Sequence, residues 1–201
     1  RNAYKEIVDG DADIVFCAYP SEEQLKYASD NDVELVFEPV GKEAFVFFVN
    51  ENNPVDSLTV EQVQAIYAGE ITNWSEVGGI NAPIAAISRN EGSGSQSTMI
   101  RFMGDKEIAR NLHLFDGKAI AFSFRFYVED ITNNGGIKLL ALNGIEPTIE
   151  NIRNDSYPSS SYFYAVYRKD NDNPNVAGLI NWILSDEGQR VIEANGYVGI
   201  N

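Results

Sequence analysis

Little in this chain could hold a metal through sulfur or imidazole. Its 201 residues contain one cysteine, Cys17, and one histidine, His113. A single thiol excludes an internal disulfide framework and a cysteine-based metal cluster. A single imidazole argues against a histidine-ligated metal or a histidine-based triad. Positive charge is scarce as well: 15 Lys and Arg stand against 30 Asp and Glu, for a formal net charge of −15. So acidic a chain is repelled by phosphate backbones and by anionic lipid, so neither nucleic acid nor a membrane surface is expected as a partner. No apolar run approaches the ~20 residues needed to span a bilayer, and no signal peptide is visible. The first residue is Arg1 rather than Met, so a processed or trimmed chain is expected, with an upstream segment missing.

What is present reads as an ordinary folded protein. Hydrophobic residues make up 44% and charged residues 22%, which excludes intrinsic disorder. The length allows one large domain or two small ones, each with a real core. Short apolar runs predict strands over Asp13–Cys17, Val33–Phe37, Ala44–Val49, Ile84–Ser88, Ala119–Tyr127, Ile137–Leu142 and Tyr162–Tyr167. Capping boxes, in which a Ser or Thr side chain and a residue three positions on bond each other's backbone, predict helices after Ser21 and Thr59. Further helices are expected after the loop ending at Ser95, after Thr148, after Pro174 and from Ser185 to Gly196. Asn50 to Pro54 is a polar turn and a plausible hinge. Strands alternating with helices predict an α/β fold with a mainly parallel sheet.

The most informative segment is a strand, then Arg89-Asn90-Glu91-Gly92-Ser93-Gly94-Ser95, then a helix. In open α/β folds, ligands sit beyond the carboxyl ends of strands. A Gly/Ser-rich turn there lets backbone N–H groups approach a ligand. The new helix adds its free N–H groups and the positive end of its dipole. Ser93 and Ser95 add hydroxyls, and Arg89 adds a planar fork suited to two oxyanion oxygens. The same residues also read as a plain capping box of Ser93 with Gln96. From the residues alone, anion clamp and simple cap fit equally well. The nucleotide-hydrolase ending Gly-Lys-Ser/Thr is absent, and so is the Gly-x-Ser-x-Gly elbow of hydrolases.

Other residues invite blander readings. Asp11 and Asp13 read as solvated turn residues rather than metal ligands. His113, between Leu112 and Leu114, reads as a packing or surface residue. Phe122, Phe124 and Phe126 alternate as on one strand face, and core packing accounts for them. Cys17 reads as an inert buried thiol. Tyr162, Tyr164 and Arg125 could line a cleft, but nothing in the sequence decides it.

Several longer motifs resemble one family. Ser57-Leu-Thr-Val-Glu-Gln-Val63, Ile66-Tyr-Ala-Gly-Glu-Ile-Thr-Asn-Trp74-Ser-Glu-Val-Gly-Gly79 and Ile87-Ser-Arg-Asn-Glu-Gly-Ser-Gly-Ser95 look like the phosphate ABC-transporter substrate-binding proteins. So do Leu142-Asn-Gly-Ile-Glu-Pro-Thr148 and Ser185-Asp-Glu-Gly-Gln-Arg-Val-Ile-Glu-Ala-Asn-Gly-Tyr197-Val. The resemblance covers most of the chain. It implies a type 2 periplasmic-binding fold of two α/β lobes closing on a ligand, lobe one being 1–49 plus 161–201 and lobe two 50–160. It places the family's phosphate clamp on Arg89, Ser93, Gly94 and Ser95.

The chain departs from the family in three places. The N-terminal strand and glycine/serine loop that supply phosphate ligands are not in it. At Cys17-Ala18-Tyr19-Pro20, Ala18 stands where the family has an Asp or Ser. The stretch from Gly104 to Ala119 is shorter than the family leads one to expect. A carboxylate acceptor rewards the proton that phosphate keeps at neutral pH and rejects sulfate, so Ala18 bears on affinity and selectivity. The resemblance implies a solute-binding protein that hands phosphate or a similar oxyanion to an ABC permease. It would be a monomer, lipid-anchored on the outer face of the membrane or periplasmic, without cofactor, metal or catalysis. The alternative is a sensor or surface module of the same fold that has lost or changed its ligand.

Overall fold

The computed structural model describes residues 3–90, 93–109, 118–133 and 135–200, with the backbone alone at 129–131 and 133. His113, Glu91 and Gly92 lie outside the described residues. The chain divides into two compact units, Arg1–Glu43 with Ser161–Asn201, and Ala44–Ser160.

The first unit opens on helix α1 (Ala3–Asp9), an element not expected from the sequence, and strand β1 (Val15–Ala18). Helix α2 (Glu22–Asp30) follows, its capping box built as expected: Gln24 N–H donates to Ser21 Oγ, and Ser21 N–H donates to Gln24 Oε1. Strand β2 (Leu35–Asn50) is shared with the second unit. Two separate strands were expected across this stretch, because Glu38-Pro39 and Gly41-Lys42-Glu43 interrupt the apolar pattern. They are one strand because distant groups satisfy its backbone. Lys42 exchanges N–H···O bonds with Val198 at 2.7 and 2.9 Å, and Gln189 Nε2 donates to Val40 O at 3.0 Å. The strand order in this unit is β1, then β8 (Ser160–Arg168), then β2. Helices α7 (Pro174–Ile183) and α8 (Asp186–Ala194) complete it. One core gathers Val40, Ala165, Val176, Ile180 and Ile183, and another gathers Ile7, Val8 and Ala28. Phe163 packs over Gly41, where a Cβ would lie 2.4 Å from the ring, so any larger residue there forces the Phe163 side chain to move.

The second unit is built on the end of β2. β5 (Lys118–Phe124) pairs with it antiparallel, placing Phe45 opposite Phe124 and Phe47 opposite Phe122. β4 (Ile84–Ala86) runs parallel to β5, and β6 (Ile137–Leu139) pairs antiparallel with β2. A small parallel pair joins β3 (Ser57–Leu58) to β7 (Ala141–Leu142). Pairing is therefore mixed rather than mainly parallel: β1 with β8, and β2 with β5 and β6, are antiparallel. Helix α3 (Val60–Tyr67) carries the expected Thr59–Gln62 capping box, and α6 (Ile149–Arg153) is capped by Thr148. Helix α4 (Gly94–Phe102) follows the loop after β4. Helix α5 (Arg125–Asn133) replaces the end of the strand expected to reach Tyr127. Phe122 and Phe124 keep to the strand, and Phe126 instead meets Tyr127 from the helix. Phe45, Phe47, Tyr67, Phe102 and Phe122 form a linked aromatic core, with ring centroids 4.9–6.4 Å apart.

Candidate functional site

The loop from Ile87 to Ser93 leaves the carboxyl end of β4 and enters α4. Its root is fixed in the core. Ile87 N–H donates to Ile120 O at 2.9 Å, holding the chain beside β5 after β4 has ended. The fully buried Tyr67 places its hydroxyl 3.3 Å from Ile87 O and 3.2 Å from Ile120 O. Burial pushes the Tyr67 pKa well above its ordinary value, so this phenol keeps its proton.

The loop's far end is the helix start. Ser93 is the N-cap, its Oγ accepting from Gln96 N–H at 3.1 Å. The reciprocal half of the expected capping box is absent. Gln96 Oε1 instead accepts the N–H of Arg89 at 2.8 Å, and Ser93 N–H donates to Asn90 O at 3.2 Å. Gln96 thus ties the two ends of the loop together, from a side chain only 8% exposed.

Several donors are left over at this helix start. The N–H groups of Gly94 and Ser95 find no acceptor among the described residues, as expected for the first turn of a helix. Ser95 is buried, and its hydroxyl makes no hydrogen bond with another described residue. Ser93 Oγ receives one bond and still has its own proton to give. Arg89 is exposed, and its guanidinium pairs with no described carboxylate. A Cβ built on Gly94 meets no described atom within 4 Å, so there is room beside this residue. Of the residues expected to form a clamp, Arg89, Ser93, Gly94 and Ser95 all belong to this one loop and helix start. The arrangement offers donors and positive potential and no base: among the described residues neither serine hydroxyl meets a carboxylate or lysine.

The remaining residues singled out by sequence stand elsewhere. Ala18 ends β1 in the first unit, opposite Phe163, with its methyl exposed and its carbonyl accepting from the Tyr4 hydroxyl. Tyr164 and Tyr19 share an aromatic cluster with Phe37, and Lys42 Nζ lies 4.7 Å above the ring of Tyr162. These tyrosines belong to the first unit and Arg125 to the second. Cys17 is half-buried rather than buried; desolvation pushes its thiol pKa up, against a smaller opposing effect of the Tyr4 contact. Asp13 braces a turn, receiving Asn171 Nδ2 at 3.2 Å and Asn173 Nδ2 at 2.8 Å. Sequence reasoning missed Tyr67 and the partner of Gln96. Spacing exposes the Ser93–Gln96 pair, but nothing local says that the Gln96 side chain reaches back to Arg89.

A family model described as the PBP superfamily domain matches residues 1–187. The chain is 26% identical to the phosphate-binding protein PstS of Staphylococcus aureus (strain USA300), over 97% of this chain and 65% of that protein. It is 25% identical to the phosphate-binding protein PstS of Borreliella burgdorferi, over 79% of this chain and 63% of that one. It therefore spans less than two thirds of the length of these curated relatives. A Clostridium perfringens protein, assigned as a phosphate ABC-transporter substrate-binding protein and crystallised with phosphate, superposes with a TM-score of 0.79. Its identity is 29%, covering 98% of this chain and 83% of that one. An ABC-type phosphate transport receptor from Vibrio cholerae shares the fold, with a TM-score of 0.78 at 24% identity, covering 97% and 83% of the two chains. With its two α/β units and with the family model matching nearly its whole length, the chain belongs to the PBP superfamily.

Proposed function

We propose that this chain is the binding part of an extracytoplasmic solute-binding protein that captures phosphate or a similar oxyanion for an ABC importer. It acts as a monomer held at the outer face of the membrane, and the two compact units serve as its lobes. It performs no chemistry on its ligand. Arg89, Ser93, Gly94 and Ser95 are the ligand-binding residues. The observation that carries this reading is the set of donors, unspent among the described residues, on one loop and helix start: the side chain of the exposed Arg89, two hydroxyls and two backbone N–H groups. An oxyanion accepts from all of them at once, and the α4 dipole adds to the attraction. The negative charge of the whole chain acts over longer distances and is screened by salt, so it does not prevent a local clamp. The names of the relatives point to the same ligand.

The test is calorimetric titration of orthophosphate against the protein and its Arg89→Ala variant. Binding by the parent, weakened by about 1.5–3 kcal/mol in the variant, is the expected outcome for the loss of a charge-assisted partner. Equal binding by both removes Arg89 from the site.

One observation favours a second reading, a module of this fold with a lost or altered ligand. Ala18 gives the end of β1 no polar side chain. Absence of orthophosphate binding in the full-length protein supports that reading over the first.

A further inference from the structure

We propose that Gln96 is the positioning residue of the anion loop, presetting its shape before any ligand arrives. For its effect on affinity this rests on the phosphate reading above; for its effect on the loop it does not. Two bonds meet at this residue. Its backbone N–H is given to Ser93 Oγ at 3.1 Å, and its side-chain Oε1 takes the Arg89 N–H at 2.8 Å.

The consequence follows from geometry. The Gln96–Ser93 bond engages Oγ as an acceptor, so the free hydroxyl proton of Ser93 is what remains for a ligand. The Gln96–Arg89 bond consumes the one N–H of the Arg89 backbone, so Arg89 meets a ligand through its side chain, projecting from a pinned backbone. A standard capping box would have spent the Gln96 carbonyl on Ser93 itself and left the Arg89 backbone untethered. Gln96 bonds Arg89 and Ser93, and its side chain is buried. It acts through Arg89 and Ser93, by lowering the ordering cost that an anion would otherwise meet on binding.

Two substitutions separate the hydrogen bond from packing at this buried position. Gln96→Met keeps the length and volume but has no carbonyl. Gln96→Glu keeps an oxygen in the same place. The first readout is amide hydrogen exchange at Arg89 by NMR, in the ligand-free protein. We expect protection in the parent, a loss of roughly five- to tenfold in Gln96→Met, and recovery in Gln96→Glu. The second readout is orthophosphate affinity, expected to fall about tenfold in Gln96→Met while the melting temperature holds. Unchanged Arg89 exchange in Gln96→Met overturns the inference, as does unchanged affinity in a parent that binds. A parent that does not bind orthophosphate sinks the functional reading, and the exchange data still decide the role of Gln96.

Discussion

The hydroxyl of Tyr67 stands 3.3 Å from the carbonyl oxygen of Ile87, two residues ahead of Arg89. A phenol from α3 therefore anchors the root of the loop that carries the candidate site. It does so from a fully buried position, where a lost hydrogen bond is not replaced by water. Tyr67→Phe should cost about 1–2 kcal/mol in urea unfolding, since it keeps the ring and takes the phenol proton away from Ile87 O and Ile120 O, the second of which still holds the Ile87 N–H. A cost near zero would mean that the two carbonyls are content without the hydroxyl.

The same tyrosine makes a pH prediction. Its folded pKa is raised by burial, so the folded state holds a proton that the unfolded chain releases above about pH 10. The stability it contributes is complete below that pH and is lost as pH rises, by about 1.4 kcal/mol per pH unit. Tyr157 is raised for the same reason and adds a similar slope. Tyr67→Phe should flatten the alkaline fall in stability by one proton's worth. Urea titrations between pH 9 and 11 provide the comparison, and identical slopes for parent and variant would refute the assignment.

Gly94 offers a way to disturb binding without disturbing the fold. A methyl group there meets nothing within 4 Å among the described residues, and its φ is not in the left-handed region. Gly94→Ala should therefore leave stability unchanged or raise it by up to about 1 kcal/mol. The methyl would add bulk at the residue that carries one of the two N–H groups without a described acceptor, so orthophosphate affinity should fall at least about tenfold. Thermal melts and calorimetry on the same sample give both numbers. Unaltered affinity would show that the ligand does not approach the α4 start.

Gly188 is the opposite case. It lies in the first turn of α8, and a Cβ would stand 2.2 Å from the carbonyl oxygen of Trp182 and 2.4 Å from that of Ile183. Both are backbone atoms, so neither can swing aside. Gly188→Ala should destabilise the protein by about 1–3 kcal/mol through overpacking. It should leave intrinsic affinity for orthophosphate alone, because the clash is with the Trp182 and Ile183 backbone and touches none of Arg89, Ser93, Gly94 and Ser95. Chemical denaturation and calorimetry test the two halves of this prediction.

The selectivity prediction concerns Ala18. Its methyl is exposed at the end of β1, so an aspartate there is tolerated without burying a charge. If this position faces the ligand, as the family resemblance implies, the new carboxylate accepts the proton of hydrogenphosphate, and sulfate has none to offer. Ala18→Asp in the full-length protein should strengthen phosphate relative to sulfate. Titrating both anions against both proteins checks it. Tight, sulfate-rejecting binding by the unmodified protein would show that another residue already supplies the acceptor.

The sequence by itself determined the features that depend on neighbours three or four positions apart. The caps at Ser21, Thr59, Thr148 and Ser185 form helices where their spacing says they should, because a side chain and an N–H three residues on meet in any helix start. The strand, loop and helix around Arg89 were legible for the same reason. Tertiary structure decided whatever depends on distant partners. β2 is unbroken because Val198 and Gln189 satisfy it, Gln189 from 149 residues away. The turn from β5 into α5 at Arg125 overrode an apolar alternation that reads as strand. Within the candidate site, Arg89, Ser93, Gly94 and Ser95 could be put forward from their chemistry. That the Gln96 side-chain oxygen accepts from the Arg89 N–H, and not from the Ser93 N–H of a standard capping box, could not, since local spacing offers only the second donor and the folded loop brings up the first.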